Sequence, residues 1–340
     1  MTGHKGQFVI SLDFELFWGI RDLYDLDWYN RTFAKERELI PEVLTLFEKY
    51  GIHATWATVG LLFFESKEAM LNGLPSIKPG YVQQNLSPYP YLKSEQVGLD
   101  EKVDPNHYAS SLIHLIRNSP FQAISTHTFS HYYCKEEGQT EKEFAADIQA
   151  SIQIAEKQGM TLESIVFPRN QINETYLPTL NRLGIKSYRG NPKHWIYRHG
   201  YSTKDSLFLR AARLLDTYIN LSGYHCYRAD QIMSELPVNL PASHFFRSYS
   251  PKLRVLEPFR IKRILDGMTY AAKHNQVYHL WWHPYNLASN ANENMDVLKR
   301  ILEHYHKLQH KYGMTSLNME ELCNQVLRSE EGRSSYQSQH

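Results

Sequence analysis

Apolar strands alternating with amphipathic helices predict an α/β chain, built as one β/α barrel-like domain over residues 7–327. Two observations carry this. Gln7–Phe14 (QFVISLDF), Ala34–Tyr50 and Ile52–Gly60 (IHATWATVG) read as strand, helix and strand within about fifty residues, a βαβ unit that requires a parallel sheet. The same alternation then continues to the end of the chain, with no internal repeat and no clean linker.

The elements follow in order. Leu39, Ile40, Val43, Leu44 and Phe47 recur at helical spacing in the first helix, and Gly51 stands where a C-terminal glycine belongs. Residues 65–106 carry Gly73, Pro75, Pro79, Gly80, Pro88, Pro90 and Pro105 without a sustained period, which predicts a loop excursion that could act as a lid. Tyr108–Asn118 reads as a helix and Ala123–Ser125 as a strand. Thr140 and Glu143 form a capping box that opens a helix to Lys157. Ser164–Phe167 and Ile185–Tyr188 are strands around a helix at Thr175–Leu183. Residues 189–251 show only a short helix near Ser206–Leu215 and an apolar run at Leu236–Leu240. Pro258–Lys273 is helical, Val277–Trp282 a strand, Asn292–Tyr312 a long helix, Ser316–Leu317 a short strand and Met319–Leu327 a last helix. The polar residues 328–340 are expected to form a disordered tail.

Composition narrows the function classes. The 340 residues are 42% hydrophobic and 21% charged, with 37 Lys and Arg against 36 Asp and Glu. A net charge of +1 argues against nucleic acid or an anionic membrane as a dominant partner. No apolar run reaches the roughly 18 residues that span a bilayer. Cys134, Cys226 and Cys323 are odd in number and widely spaced, which fits neither a disulfide framework nor a thiolate zinc site. The short polar stretch before Phe8 does not read as a signal peptide, so a cytoplasmic location is expected. Twenty-three Tyr and six Trp are a heavy load; such rings fill cores and their rims, and they also stack on sugars.

Four motifs lie just past strand ends, the edge where active sites of parallel α/β folds assemble. Asp13 and Glu15 share a strand face at i, i+2, where ordinary surface acids are the alternative. His127 and His131 suit one helical turn with both imidazoles on one side. Arg169, after Pro168, could pair with a carboxylate and keep it ionised, or form a structural salt bridge. His283, between an aromatic strand and Pro284, fits a general acid or a hydrogen-bonded core histidine. One shared site explains all four better than four separate structural roles.

These motifs, in this order, resemble the polysaccharide deacetylase family, the carbohydrate esterases with the NodB homology domain, and so does the Ile52–Gly60 run. The resemblance spans about Phe8 to Leu327 and implies a distorted (β/α) barrel of seven or eight strands. It implies Asp13 as catalytic base, Glu15, His127 and His131 as ligands of a divalent metal (zinc above all), Arg169 as the group holding the base, and His283 as general acid. Trp18, Trp195, Trp282 and Tyr285 are the rings expected to contact a saccharide. The sequence departs from the commoner pattern in three ways, as in a divergent branch. Phe14 separates the two acids, the third motif reads Pro-Arg, and no aspartate partner for His283 is evident. The expected activity is removal of an N-acetyl group from a saccharide or saccharide precursor. Hydrolysis of another amide, as in the allantoinase-like branch, and non-catalytic carbohydrate binding are the alternatives.

Overall fold

Strict alternation along the first strand organises the molecule. In the computed structural model, which describes residues 5–198, 200 and 205–337, β1 (Gln7–Phe14) is buried along its whole length. Phe8, Ile10, Leu12 and Phe14 join the large core beneath the helices, while Val9 belongs to a separate cluster and Ser11 and Asp13 share its face. Successive side chains of a strand point to opposite faces, so β1 has an outer, helix-covered side and an inner side.

The other strands are β2 (Ala54–Thr58), β3 (Gln122–Thr126), β4 (Ser164–Ile165), β5 (Ser187–Gly190), β6 (Val238–Pro241), β7 (His244–Phe245), β8 (Val277–Trp282) and β9 (Thr315–Leu317). All pair in parallel, in the order β6-β5-β4-β3-β2-β1-β8-β7. β9 lies against Gln7–Val9 of β1, below the point where β2 begins at the level of Ile10. The two ends of this order are consecutive in the chain. The Ala242 amide donates to the Gly190 carbonyl (2.8 Å) and the Ser243 amide to the His279 carbonyl (2.8 Å). The segment 238–246 therefore leaves β5 and crosses to β8, curling the sheet round as a distorted barrel with a broken ladder.

The helices follow from local chemistry. Glu36–Tyr50 buries Leu39, Ile40, Val43, Leu44 and Phe47 and ends on Gly51 at φ 61°, a left-handed cap. Glu141–Lys157 opens on the reciprocal Thr140–Glu143 box. The helix Met319–Gln337 closes the inner side: Met319, Leu322, Cys323 and Val326 pack on Val9, Ala57, Val166, Val238, Leu240 and Val277.

Two expectations change, and the short helix expected near Ser206–Leu215 is found. Residues 65–106 carry helices at Lys67–Asn72 and Tyr89–Leu92 and bury Met70, Tyr81, Leu86, Tyr89, Leu92 and Val97. Their backbone is held by Arg21, which donates to the Asn85 carbonyl (2.7 Å), and their Tyr81 hydroxyl accepts from the Tyr133 amide (2.8 Å). They form a packed wall. The short helix of the hard-to-read region spans Leu207–Tyr218. The last helix runs on to Gln337 where a disordered tail was expected from residue 328, because extending a formed helix costs little per residue. Met1–His4 and residues 338–340 lie outside the described residues.

Candidate metal centre

Alternation carries the inner face of each strand to the same edge. From β1 comes Asp13, followed by Glu15 one residue past the strand; from β3 comes His127, from β5 Arg189, and from β8 Trp281 and then His283. Glu15, His127 and His131 form the cluster of three able to hold a metal ion among the described residues. Glu15 Oε2 lies 3.1 Å from His127 Nε2 and 3.0 Å from His131 Nε2. All three side chains are at most 5% exposed, so the donors converge in a dry pocket.

The histidines do not sit on a helical turn as their spacing predicts. His127 follows β3 directly, and the chain then passes through left-handed backbone at Thr128 (φ 64°) and His131 (φ 56°). Such φ values are unusual for residues other than glycine and are outliers for a β-branched one. The loop is held by hydrogen bonds. Thr128 Oγ1 accepts from the Tyr132 amide (2.6 Å), and Asp147 accepts from the Phe129 amide (2.6 Å), the Ser130 amide and the Ser130 hydroxyl. Burial pushes the Asp147 carboxyl up to about 6, against these donors.

The outer ring nitrogens decide which nitrogens face inward. His127 Nδ1–H donates to the Val166 carbonyl (2.9 Å), which leaves Nε2 as the free donor atom. His131 Nδ1–H donates to the Tyr133 hydroxyl (3.0 Å), and that hydroxyl donates to Asp22 (3.2 Å). Burial lowers the His131 pKa, which favours the neutral ring a metal needs. Burial by itself would raise the Glu15 carboxyl; the neighbouring imidazoles of His283, His131 and His127 hold it well below the usual range. The donor set and its outer partners fit a divalent cation. Gly19 makes room for the Glu15 side chain: a Cβ there would lie 1.9 Å from Glu15 Cδ.

Arg169 does not hold Asp13. Its guanidinium pairs with Asp22 and lies over the Tyr133 ring, 4.3 Å from the centroid. The residue on Asp13 is Arg189, whose Nη1 and Nη2 reach the two carboxylate oxygens at 2.6 and 2.8 Å. Arg169 stands at φ 54° just past β4, which turns its side chain toward Asp22. Arg189 stands within β5, alternating with the outward Tyr188, and so points inward at the level of Asp13. It also donates to Ser11 Oγ (3.1 Å) and Asn170 Oδ1 (3.0 Å) and lies over Trp281 (4.2 Å). Burial would raise the Asp13 carboxyl, but Arg189, His127 and His283 bring it below its ordinary value. Sequence reasoning missed Arg189 because it falls at the start of the region with no clear pattern. The i, i+2 alternation of Ser187 and Arg189 about Tyr188 was the signal.

His283 Nε2 stands 3.7 Å from both Asp13 Oδ2 and Glu15 Oε1, and the side chain is 18% exposed. Asn286 Oδ1 accepts from the His283 amide (3.0 Å) and from Nδ1–H (3.1 Å), filling the place for which no aspartate was found. Tyr285 stacks on the His283 ring (4.6 Å, 13°). Two expected sugar-contacting rings are core residues. Trp282 is fully buried because alternation sends it outward beneath the helices against Phe47 and Phe246, while Trp281 takes the inner place. Trp18 is turned under by the 3₁₀ turn Leu16–Gly19, and its Nε1 donates to the His107 carbonyl (2.9 Å). Trp195 is 54% exposed and stacks on Phe208 (6.2 Å, 9°).

Comparison with known proteins agrees with this fold. The family model described as polysaccharide deacetylase matches residues 24–188, which include both cluster histidines; Asp13 and Glu15 lie before the match, Arg189 and His283 after it. A search of curated proteins returned no match. Among solved structures, a polysaccharide deacetylase from Mycobacterium smegmatis is similar over 97% of this chain and 93% of its own, at 11% identity and a TM-score of 0.59. One from Pseudomonas aeruginosa PAO1 is similar over 95% and 91%, at 10% identity and 0.56. The PuuE allantoinase is similar over 95% and 91%, at 10% identity and 0.55. Residues 24–188 of the chain thus match the polysaccharide deacetylase family model, and the buried Glu15–His127–His131 cluster stands on that scaffold.

Proposed function

We propose that the protein hydrolyses the amide of an N-acetylated saccharide, or of a saccharide precursor, releasing acetate and a free amine. The observation that carries the reading is the placement of Asp13 and His283 beside the Glu15–His127–His131 cluster. Glu15, His127 and His131 would hold the metal through one carboxylate oxygen and two Nε2 atoms. Three protein ligands with further positions open, and a reaction without redox steps, favour zinc. A divalent cation there supplies Lewis-acid activation of the amide carbonyl and of the attacking water.

The remaining steps belong to side chains. Asp13, ionised through its two bonds from Arg189, accepts the proton of the attacking water. Arg189 fixes both carboxylate oxygens, so the base keeps one orientation. His283 presents Nε2 to the same space, its ring held by Asn286 and by stacking on Tyr285, and passes a proton to the departing nitrogen. Acid–base groups of this kind contribute roughly 10²–10⁴-fold each. Tyr285 is the expected ring nearest the substrate. A cytoplasmic setting fits the three cysteines, each unpaired.

The test is acetate release by chelated and zinc-restored protein across N-acetylated saccharides and nucleotide-sugar precursors. Release that requires metal, and that collapses in Asp13→Asn and His283→Ala while metal binding persists, supports the reading. Cleavage of a ring amide with no acetate from any saccharide would replace it with the allantoinase-like activity. Metal and carbohydrate binding with no turnover would make the protein a non-catalytic relative.

A further inference from the structure

The helix Leu207–Tyr218 is inside out. Its polar residues Arg213, Asp216 and Thr217 are buried, while Leu207 (81% exposed), Phe208 (72%), Ala211 and Leu215 (53%) form one outward stripe that Ile219 extends. Ion pairs and hydrogen bonds hold the inward side. Arg213 pairs with Asp205 and donates to the Ile196 and Gly200 carbonyls; Asp216 takes hydrogen bonds from Tyr197 and Ser222 and pairs with Arg263. The helix cannot turn its apolar stripe inward without breaking these. Trp195 stacks on Phe208 and widens the surface, and Leu221 is also exposed. A contiguous apolar surface of this kind marks an interaction site.

The charge of the segment that carries it selects the partner. Residues 193–263 contain twelve Lys and Arg against five Asp and Glu, a net of +7 in a chain whose total is +1. Arg210 on the helix itself, Lys193 and Arg198 on either side of Trp195 in the chain, and Arg247 near Tyr218 are exposed and pair with no carboxylate among the described residues. Two copies meeting through this face would set like charges against each other. Aliphatic side chains such as Leu207, Leu215 and Ile219 offer a sugar no hydrogen-bond partners. Cations around exposed Trp, Phe and Leu side chains are the composition of an interfacial helix lying on an anionic bilayer.

We propose that this face docks the protein on an anionic membrane surface, with the helix in the interface plane and the surrounding Lys and Arg on lipid headgroups. Trp195 belongs to the loop that follows β5, at the same edge as the metal cluster, so docking would bring that edge close to the bilayer. The inference stands apart from the catalytic reading. Whole-chain charge balance pointed away from such a partner because it averages over an uneven distribution.

The test is flotation of the full chain with phosphatidylcholine vesicles, with and without phosphatidylglycerol. Binding is expected only to the anionic vesicles and should weaken several-fold as salt rises from about 0.1 to about 0.5 M, where screening shortens. Phe208→Ser/Leu215→Ser should lower the bound fraction about tenfold at an unchanged melting temperature. Lys193→Gln/Arg210→Gln, which leaves the apolar stripe intact, should lower it as well. Failure to float with anionic vesicles overturns the proposal. So does a wild-type dimer in solution that the Phe208/Leu215 variant dissociates, which would assign the face to a second copy.

Discussion

Asp13 stays ionised in a buried position because a guanidinium grips both of its oxygens, and that grip belongs to Arg189. Removing the cation should raise the base's pKa. In Arg189→Gln the acidic limb of the kcat/KM profile is therefore expected to move to higher pH, with kcat reduced. Arg169→Gln should leave that limb in place and weaken metal binding about 10–100-fold, since it acts on His131 through Asp22 and Tyr133. A limb that moves in the Arg169 variant instead would return the role to Arg169. Gly19 gives a second test at this scale. The Glu15 carboxyl occupies the space a Cβ would need, so Gly19→Ala should lose most of its bound metal while remaining folded. Full metal content in that variant would mean that Glu15 is not held where the ligand set requires.

At the scale of elements, Glu36 ties the first turn of the helix Glu36–Tyr50 to the helix Leu26–Phe33, accepting from the Tyr29 hydroxyl. Burial pushes its carboxyl from 4.5 up to about 8. The folded state thus holds a proton that the unfolded chain releases. The stability linked to it is fully present below about pH 4.5 and is lost as pH rises through 8. Glu36→Gln should raise the melting temperature by about 2–4 °C at pH 9 and leave it unchanged at pH 5. Equal shifts at both values would show that the proton is not the cause.

Much of this was legible in the sequence, for reasons that can be named. Long apolar strands such as Gln7–Phe14 and Val277–Trp282 announce themselves, and an acid or imidazole at their ends is conspicuous against that background. The Thr140–Glu143 box marked its helix because capping is local chemistry. What escaped depends on tertiary contacts. The four-residue β6 and two-residue β7 are too short to display a period, and the crossover from β5 to β8 has no local signature. The left-handed turn at Thr128 and His131 is stabilised by Asp147 on a distant helix, so the spacing of two histidines could not reveal it. Trp282 and Trp18 were misread because an aromatic beside a motif can face either way. Strand phase decides for Trp282, and the turn Leu16–Gly19 for Trp18.

Across the whole molecule, the barrel works from two ends. The inner face is apolar where the helix from Met319 plugs it and polar where Asp13, Arg189 and the metal cluster gather. Stability and chemistry are thereby separated along one axis. Leu322→Ala should cost roughly 2–4 kcal/mol of stability through the cavity it leaves, with activity per folded molecule preserved. A matching loss of activity in the folded fraction would tie the plug to the site.

The most direct measurement is the metal content of purified, zinc-saturated protein, determined per chain for the wild type and for His127→Ala/His131→Ala after exhaustive dialysis. One zinc in the wild type and none in the double variant is the predicted result, with acetate release disappearing in step. A double variant that retains its zinc, or a wild type that turns over substrate when stripped of metal, would contradict it.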